Sequence, residues 1–169
     1  MTSRETALAA RAFTLAPSEG ERFTMIGGGM RILVDGAASG GRCCILETPV
    51  PPGDGPPLHR HEREDEMFFV IEGRFKFMID GREFIAEPGA FVCAPRGSVH
   101  TFKNIGATTG RFLITCTPAG IEVPFRAIRE PDAREIAQGR MPPTMEFVMQ
   151  ELGRHGITFV GPPLDMPRG

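Results

Sequence analysis

Residues 53–73 of this 169-residue chain read GDGPPLHRHEREDEMFFVIEG and carry the features that decide its fold. His59 and His61 lie two residues apart, and on an extended strand this spacing places both imidazoles on the same face. Glu66 follows at the start of an apolar run that ends at Ile71. With a bend between the two segments, the carboxylate turns back toward the imidazoles, so the stretch predicts a cluster of these three side chains.

Short apolar segments separated by turn signals extend from this stretch in both directions. Asp-Gly pairs at 35–36 and 80–81 lie beside alternating runs and are good hairpin signals. About nine short segments at this spacing, without a long helical pattern between them, predict a β-sandwich or β-barrel rather than a parallel α/β architecture. The segments are 23–26, 30–34, 43–47, 67–71, 75–79, 83–85, 90–94, 99–103 and 111–117.

A second stretch, residues 89–104, reads GAFVCAPRGSVHTFKN and places His100 in another strand-like segment. Three imidazoles and one carboxylate form a ligand set that suits Fe, Mn, Co, Ni, Cu or Zn. Four protein ligands leave two positions of an octahedron open, as catalytic metal sites do and closed structural sites do not. An isolated H-x-H is more often a feature of a surface loop, and it is the glycine and proline residues around both stretches that favour a metal site.

Those glycine and proline positions match, without a gap, the two signature motifs of the cupin superfamily. In the first stretch, Gly53 and Gly73 bracket the two histidines and the glutamate at the spacing of the first motif. The residues that match the second motif are Gly89, Pro95, Gly97, His100 and Asn104. The intervening residues, 74–88, resemble the short spacer of small microbial single-domain cupins, and the whole resemblance covers about 27–125.

The resemblance implies an all-β fold, an antiparallel jelly-roll (cupin) β-barrel that is commonly a homodimer. It also implies one divalent transition metal per chain (Fe, Mn, Ni, Co, Cu or Zn), held by His59, His61, Glu66 and His100. The same ligands accept several metals, so the identity of the ion stays open. Glu66 is in addition the candidate catalytic residue, because it can shift off the metal to take a proton as general base.

Strand alternation extends the prediction from the ligands to a pocket wall. If Glu66 and His100 point inward, then Phe68, Val70 and Phe102 do so as well. Further candidates, whose direction no ligand fixes, are Met78, Phe91, Phe112 and Ile114. The alternative for each of these side chains is a place in the plain hydrophobic core. Because the chain has no Trp and no Tyr, this Phe-rich wall favours a flat aromatic or otherwise apolar substrate that binds the metal through oxygen.

The chain divides into an N-terminal arm (1–20), a cupin β-barrel (21–126) and a short C-terminal helical extension (127–169). The arm has a short helical pattern at 6–13, and the tail has helical patterns over 131–138 and 145–152. Thr144 is the predicted N-cap of the last helix, and Gly153 is expected beyond its end. We expect the tail to pack on the outside of the barrel or across a dimer, and His155 to interact with the helix C-terminus rather than with metal.

Composition and charge exclude several classes of protein. Nineteen Lys and Arg against 21 Asp and Glu give a net charge of −2, which does not indicate nucleic-acid binding. No apolar run approaches the roughly 18–20 residues needed to span a bilayer, and the N-terminus lacks the apolar region of a signal peptide. We therefore expect a cytoplasmic protein with neither nucleic acid nor membrane as partner. The cysteines at 43, 44, 93 and 116 lack C-x-x-C spacing and are expected to be free thiols.

Three functions are compatible with these features. The first is a dioxygenase that combines dioxygen with an aromatic or enolisable small molecule coordinated to the metal. The ligand set and the tail sequence HGITFVGPPL (155–164) resemble quercetin-type dioxygenases. The second is a non-redox metal-dependent isomerase or decarboxylase, although the epimerases of the superfamily rely on a Tyr that is missing here. A sugar-phosphate isomerase would need a cationic clamp, and the available cations are Arg74, Lys76, Arg96 and Lys103. The third is a non-catalytic small-molecule-binding cupin.

Overall fold

Residues 12–26 and 28–165 are described by a computed structural model, and they form eleven strands and four helices. The strands are β1 (Glu21–Met25), β2 (Gly28–Val34), β3 (Cys44–Val50), β4 (His59–His61), β5 (Asp65–Glu72), β6 (Phe75–Ile79), β7 (Arg82–Ala86), β8 (Phe91–Ala94), β9 (Val99–Asn104), β10 (Gly110–Thr117) and β11 (Ile157–Phe159). The helices are α1 (Gly36–Ser39), α2 (Glu122–Ala127), α3 (Ala133–Ala137) and α4 (Met145–Arg154).

The strands form two antiparallel sheets with a hydrophobic core between them. One sheet has the order β1-β2-β3-β10-β5-β8, and the other has the order β11-β4-β9-β6-β7. The chain passes from the edge strand β7 to the edge strand β8 through a tight turn at 87–90, where Gly89 adopts a φ of 88°. No hydrogen-bonded strand pair joins the two sheets within the described residues. The fold is therefore the predicted all-β antiparallel jelly roll, and its two facing sheets are not closed into a barrel within these residues.

Each of the nine apolar segments predicted as strands corresponds to a strand of the structure. The period-2 pattern was informative because one face of each sheet is buried and the other is more exposed. Strand β11 has no such signal, since it is only three residues long. It forms because β4 offers an unpaired edge, against which Ile157 pairs with His61 and Phe159 pairs with His59.

Phenylalanine side chains fill the space between the two sheets. Phe68 of β5 and Phe112 of β10 lie edge to face, with ring centroids 5.4 Å apart. Phe112 also contacts Phe102 of β9 at 4.8 Å, and Phe77 of β6 contacts Phe68 at 5.0 Å. Because residues two apart on a strand share a face, the alternation that buries Phe68 also turns Glu66 toward the interior.

The tail carries both predicted helices, with shifted ends. Helix α3 begins after the N-cap Asp132, and Thr144 caps the first turn of α4 as predicted. The prediction that α4 ends before Gly153 is wrong, because the helix continues to Arg154. Gly156 then adopts a φ of 82°, the left-handed conformation that glycine tolerates and that commonly follows a helix.

The remaining sequence predictions concern the arm, the membrane and the cysteines. The predicted helical piece at 6–13 falls mainly on residues outside the described part of the chain, and residues 12 and 13 are not helical. None of the described helices is long and apolar enough to cross a membrane. All four cysteines are free thiols, as expected.

Candidate metal centre

Four buried side chains from three strands converge at one end of the core. His59 and His61 lie on β4, Glu66 on β5 and His100 on β9, and one ligand atom from each lies within 4.8 Å of all the others. His59 and His100 are directly opposite each other on neighbouring strands, whereas β5 brings Glu66 from the other sheet. The structure thus brings together all four residues that the resemblance implies as metal ligands.

The Oε2 atom of Glu66 is the point on which the imidazoles converge. It lies 2.8 Å from Nε2 of His100, 3.5 Å from Nε2 of His61 and 3.9 Å from Nε2 of His59. Two atoms that each bind one metal ion at about 2.1 Å are at most about 4.2 Å apart. All three spacings therefore fit a single ion.

Backbone carbonyls fix the protonation of two of the imidazoles. Nδ1 of His59 lies 2.9 Å from the carbonyl of Pro57, and Nδ1 of His100 lies 3.2 Å from the carbonyl of Ser98. Because a carbonyl oxygen only accepts, these Nδ1 atoms carry a proton, and both rings turn Nε2 toward Glu66, where a deprotonated Nε2 is free to bind a metal. Three imidazole nitrogens and one carboxylate oxygen converge on one point, and the 2.8 Å hydrogen-bond spacing between His100 and Glu66 shows that a cation, either a proton or a metal ion, is accommodated there. The donor set therefore fits a divalent transition metal.

Burial and charge act in opposite directions on the ionisable groups. Burial lowers the pKa of His59 below its usual value. Burial acts the same way on His61, but the carboxylates of Glu66 and Glu64 outweigh it and raise the pKa of His61. Burial alone would raise the pKa of Glu66, but the charge of His61 and hydrogen bonds from His100 and His59 hold that pKa well below its usual range. Glu66 is therefore ionised at neutral pH, as metal ligation requires.

A mostly apolar cavity of about 290 Å³ opens onto this cluster. His59 and Glu66 contribute to its wall, so a molecule inside the cavity reaches the candidate metal centre directly. The sheets add Met30, Phe102 and Ile114 to the wall. The residues contributed by the chain after β10 are Phe125, Ile128, Met145, Leu152, Ile157 and Phe159.

The structure separates the predicted pocket residues into lining and core. Phe102 and Ile114 line the cavity. Phe68, Val70 and Phe112 point inward as predicted, but they are fully buried in the core and do not line it. Strand alternation indicates which of these side chains point inward. The position of each residue along its strand then decides whether its side chain lines the cavity or lies in the core.

Two of the predicted pocket residues lie elsewhere. Phe91 is 63% exposed on the outer face of β8, because it pairs with Phe69 of β5, which also faces outward. Met78 is buried, but it follows the inward-facing Phe77 on β6 and so occupies the opposite face of that strand. Neither β6 nor β8 carries a candidate metal ligand that would show which of its side chains point inward. The expectation that Phe91 and Met78 line the pocket is therefore wrong.

The tail is part of the cavity wall rather than an outer covering, which corrects the expectation for its packing. Val148 and Leu152 lie on the buried face of α4, and β11 places Ile157 and Phe159 beside β4. The amphipathic pattern of α4 was the available signal, but it does not indicate which surface is covered. Phe159 reaches the ring of His59, with centroids 6.4 Å apart.

The cations considered as a phosphate clamp do not line the cavity. Lys76 and Lys103 approach Asp165 of the tail at 3.5 Å and 3.4 Å, and Arg74 and Arg96 form exposed ion pairs. Lys103 thus points away from the His100 side, as strand alternation predicts. His155 lies 3.5 Å from Glu151 of α4, away from the candidate ligands.

Comparison with known families shows which class of protein the chain resembles. Residues 47–116 match a family model described as a cupin domain. This match spans the candidate ligands, and a solved structure described as an RmlC-like cupin from Shewanella frigidimarina shares the fold. Within residues 47–116 the chain is therefore similar to the cupin superfamily.

Three relatives indicate what the chain is similar to. It is 27% identical over 119 residues to quercetin 2,3-dioxygenase of Bacillus subtilis, covering 70% of this chain and 35% of that protein. It is 31% identical over 64 residues to an oxalate-binding protein of Thermotoga maritima, covering 38% of this chain and 53% of that protein. A solved structure described as a predicted oxalate decarboxylase from T. maritima has a TM-score of 0.57 and 26% identity, covering 63% of this chain and 99% of that one. The matches to the two curated relatives thus span about a third and about half of their lengths.

Proposed function

We propose that the protein is a metal-dependent dioxygenase acting on an aromatic or enolisable small molecule whose oxygen coordinates the metal. The observation that carries this proposal is the apolar cavity that opens onto His59 and Glu66. No lysine or arginine is found among the described residues that line it. An apolar wall with few polar groups is typical of a site for a small organic ligand.

The charges around the cavity restrict the substrate further. Asp54 and Glu66 are the acidic groups of the wall, and the hydroxyl of Thr48 is engaged in a hydrogen bond of 2.8 Å to the carbonyl of Gly29. A phosphate or a second carboxylate on the substrate would therefore find no cationic side chain among the described residues of the cavity wall. Burying such a group in the cavity would remove its hydration without compensation from these side chains. A ring with one acidic hydroxyl fits better, because that oxygen reaches the metal and the ring packs against Phe102 and Phe159.

The residues of the chain supply binding, orientation and proton transfer. When bound, a redox-active metal would supply Lewis acidity toward the substrate hydroxyl and a path for electrons from the deprotonated substrate to dioxygen. Glu66 is ionised and borders the cavity, so its carboxylate accepts the proton that the substrate hydroxyl loses. The apolar side chains of the wall exclude water from the deprotonated substrate. Similarity to a quercetin 2,3-dioxygenase over 70% of this chain supports the oxidative reaction.

Oxygen uptake by the metal-loaded protein tests this function. We expect dioxygen consumption with at least one member of a panel of flavonols, catechols and β-diketones after loading with Fe, Mn, Ni, Co or Cu. Protein loaded with Zn²⁺, which has no redox chemistry, serves as the control and should consume none. Failure of every loaded metal with every member of the panel would contradict the proposal.

The alternatives are a non-redox metal-dependent isomerase or decarboxylase and a non-catalytic small-molecule-binding cupin. Similarity to a T. maritima structure described as a predicted oxalate decarboxylase favours the decarboxylase, and similarity to a curated T. maritima oxalate-binding protein favours the binding protein. Apart from the candidate metal, the described residues of the cavity wall supply no cation for the two negative charges of oxalate. Release of carbon dioxide from oxalate without oxygen uptake would favour the decarboxylase, and tight binding of a panel member without turnover would favour the binding protein.

A further inference from the structure

A buried carboxylate beside the candidate metal centre has no part in the proposed reaction. Glu64 is only 4% exposed, and its Oε2 atom has no hydrogen-bond partner among the described residues. The Nδ1 atom of His61 is likewise buried without a hydrogen bond, and it lies 3.7 Å from that oxygen. Two polar atoms left unpaired in a protein interior are costly. Here they face each other, so one small movement satisfies both.

The three candidate histidines differ in the group that faces Nδ1. His59 and His100 donate from Nδ1 to backbone carbonyls, whereas His61 faces the carboxylate of Glu64. The other ring nitrogen of His61 lies 3.5 Å from Glu66, so the imidazole is held between two carboxylates. Metal-binding imidazoles generally donate their second N–H to a carboxylate or a carbonyl, which fixes the tautomer and raises the basicity of the ligand.

We propose that Glu64 is a positioning residue for His61, whose Nδ1 proton its carboxylate accepts so that the Nε2 lone pair faces the metal. This inference rests on the metal site of the proposed function. A charge-assisted hydrogen bond of this kind is about 2.8 Å long, so a shift of less than about 1 Å from the observed spacing forms it. The bend between β4 and β5 makes this approach available, since it returns Glu64 toward His61 three residues after it.

Substitution of Glu64, with Zn²⁺ alone as the probe, tests the energetic consequence. Glu64→Gln keeps an acceptor without the charge, and Glu64→Leu removes both. We expect Zn²⁺ to bind about tenfold more weakly to the first variant and up to about 100-fold more weakly to the second, measured by competition with a chelator. The control is Glu62→Gln on the same bend, because Glu62 is exposed and 3.7 Å from Arg60. Its affinity should equal that of the unmodified protein.

The tautomer of His61 gives a second measurement that needs no substitution. Long-range ¹H–¹⁵N NMR of the Zn²⁺-loaded protein should show the His61 proton on Nδ1, with exchange of that proton slower than in Glu64→Leu. A proton on Nε2 of His61, or unchanged Zn²⁺ affinity in both Glu64 variants, would overturn the role of Glu64. Failure of the unmodified protein to bind Zn²⁺ would instead contradict the metal site on which the proposed function depends.

Discussion

We expect the Glu66→Gln variant to consume dioxygen about 10²–10⁴-fold more slowly than the unmodified protein, per bound metal. Glutamine has nearly the same shape as glutamate, but it carries no charge and is a very weak base. Three imidazoles remain to hold the metal, so the loss falls on proton transfer from the substrate as well as on metal affinity. Initial rates of oxygen uptake, divided by the metal content of the same sample, measure the effect.

The neighbouring carboxylate provides the control for this substitution. Asp65 adjoins Glu66 in the chain, but it is paired with Arg96 at 3.1 Å outside the cluster. Asp65→Asn should therefore consume dioxygen at the unmodified rate. A Glu66→Gln protein that turns over normally per bound metal would show that Glu66 is no base in this reaction.

The second large effect is expected from filling the cavity. Leu152 of α4 is 3% exposed and lines the cavity wall. A Leu152→Trp side chain extends into the space where the substrate is proposed to lie, while all four candidate metal ligands are left unchanged. We expect kcat/KM for the best panel substrate to fall by about 10²-fold, because small displacements of a bound substrate have effects of this size.

An exposed position on the same helix offers a matched control. Met149 is 52% exposed, so Met149→Trp adds the same side chain outside the cavity and should leave kcat/KM unchanged. The natural chain has no Trp, so the fluorescence of each variant also reports the surroundings of its single indole. If Leu152→Trp retains both its metal and its full kcat/KM, the substrate does not occupy this cavity.

The sequence predicts the candidate ligands and the strands well because both depend on short-range rules. The period of two places His59 and His61 on one face of β4, and spacing within two motifs identifies Glu66 and His100. The nine apolar segments have the alternation that a half-buried sheet imposes. None of these inferences needs knowledge of how distant parts of the chain meet.

The features that the sequence does not predict depend on distant contacts. Strand β11 exists only because β4 has a free edge, and Leu152 lines the cavity because α4 returns over it. Phe91 shows the limit of alternation, since the direction of a strand without a ligand is ambiguous by one residue. Glu64 lies in a bend, where no periodicity relates it to His61. A homodimer and a cytoplasmic location stay predictions from the resemblance and from composition.

The metal content of the protein as purified tests the central claim most directly. We expect about one equivalent of a redox-active transition metal per chain, and its loss in a His59→Ala/His61→Ala double variant. His155→Ala is the control, because His155 lies on the tail beside Glu151, and it should keep the metal. Elemental analysis of the three proteins side by side decides the matter. Metal retained in full by the double variant would contradict the assignment of His59, His61, Glu66 and His100 as the metal site.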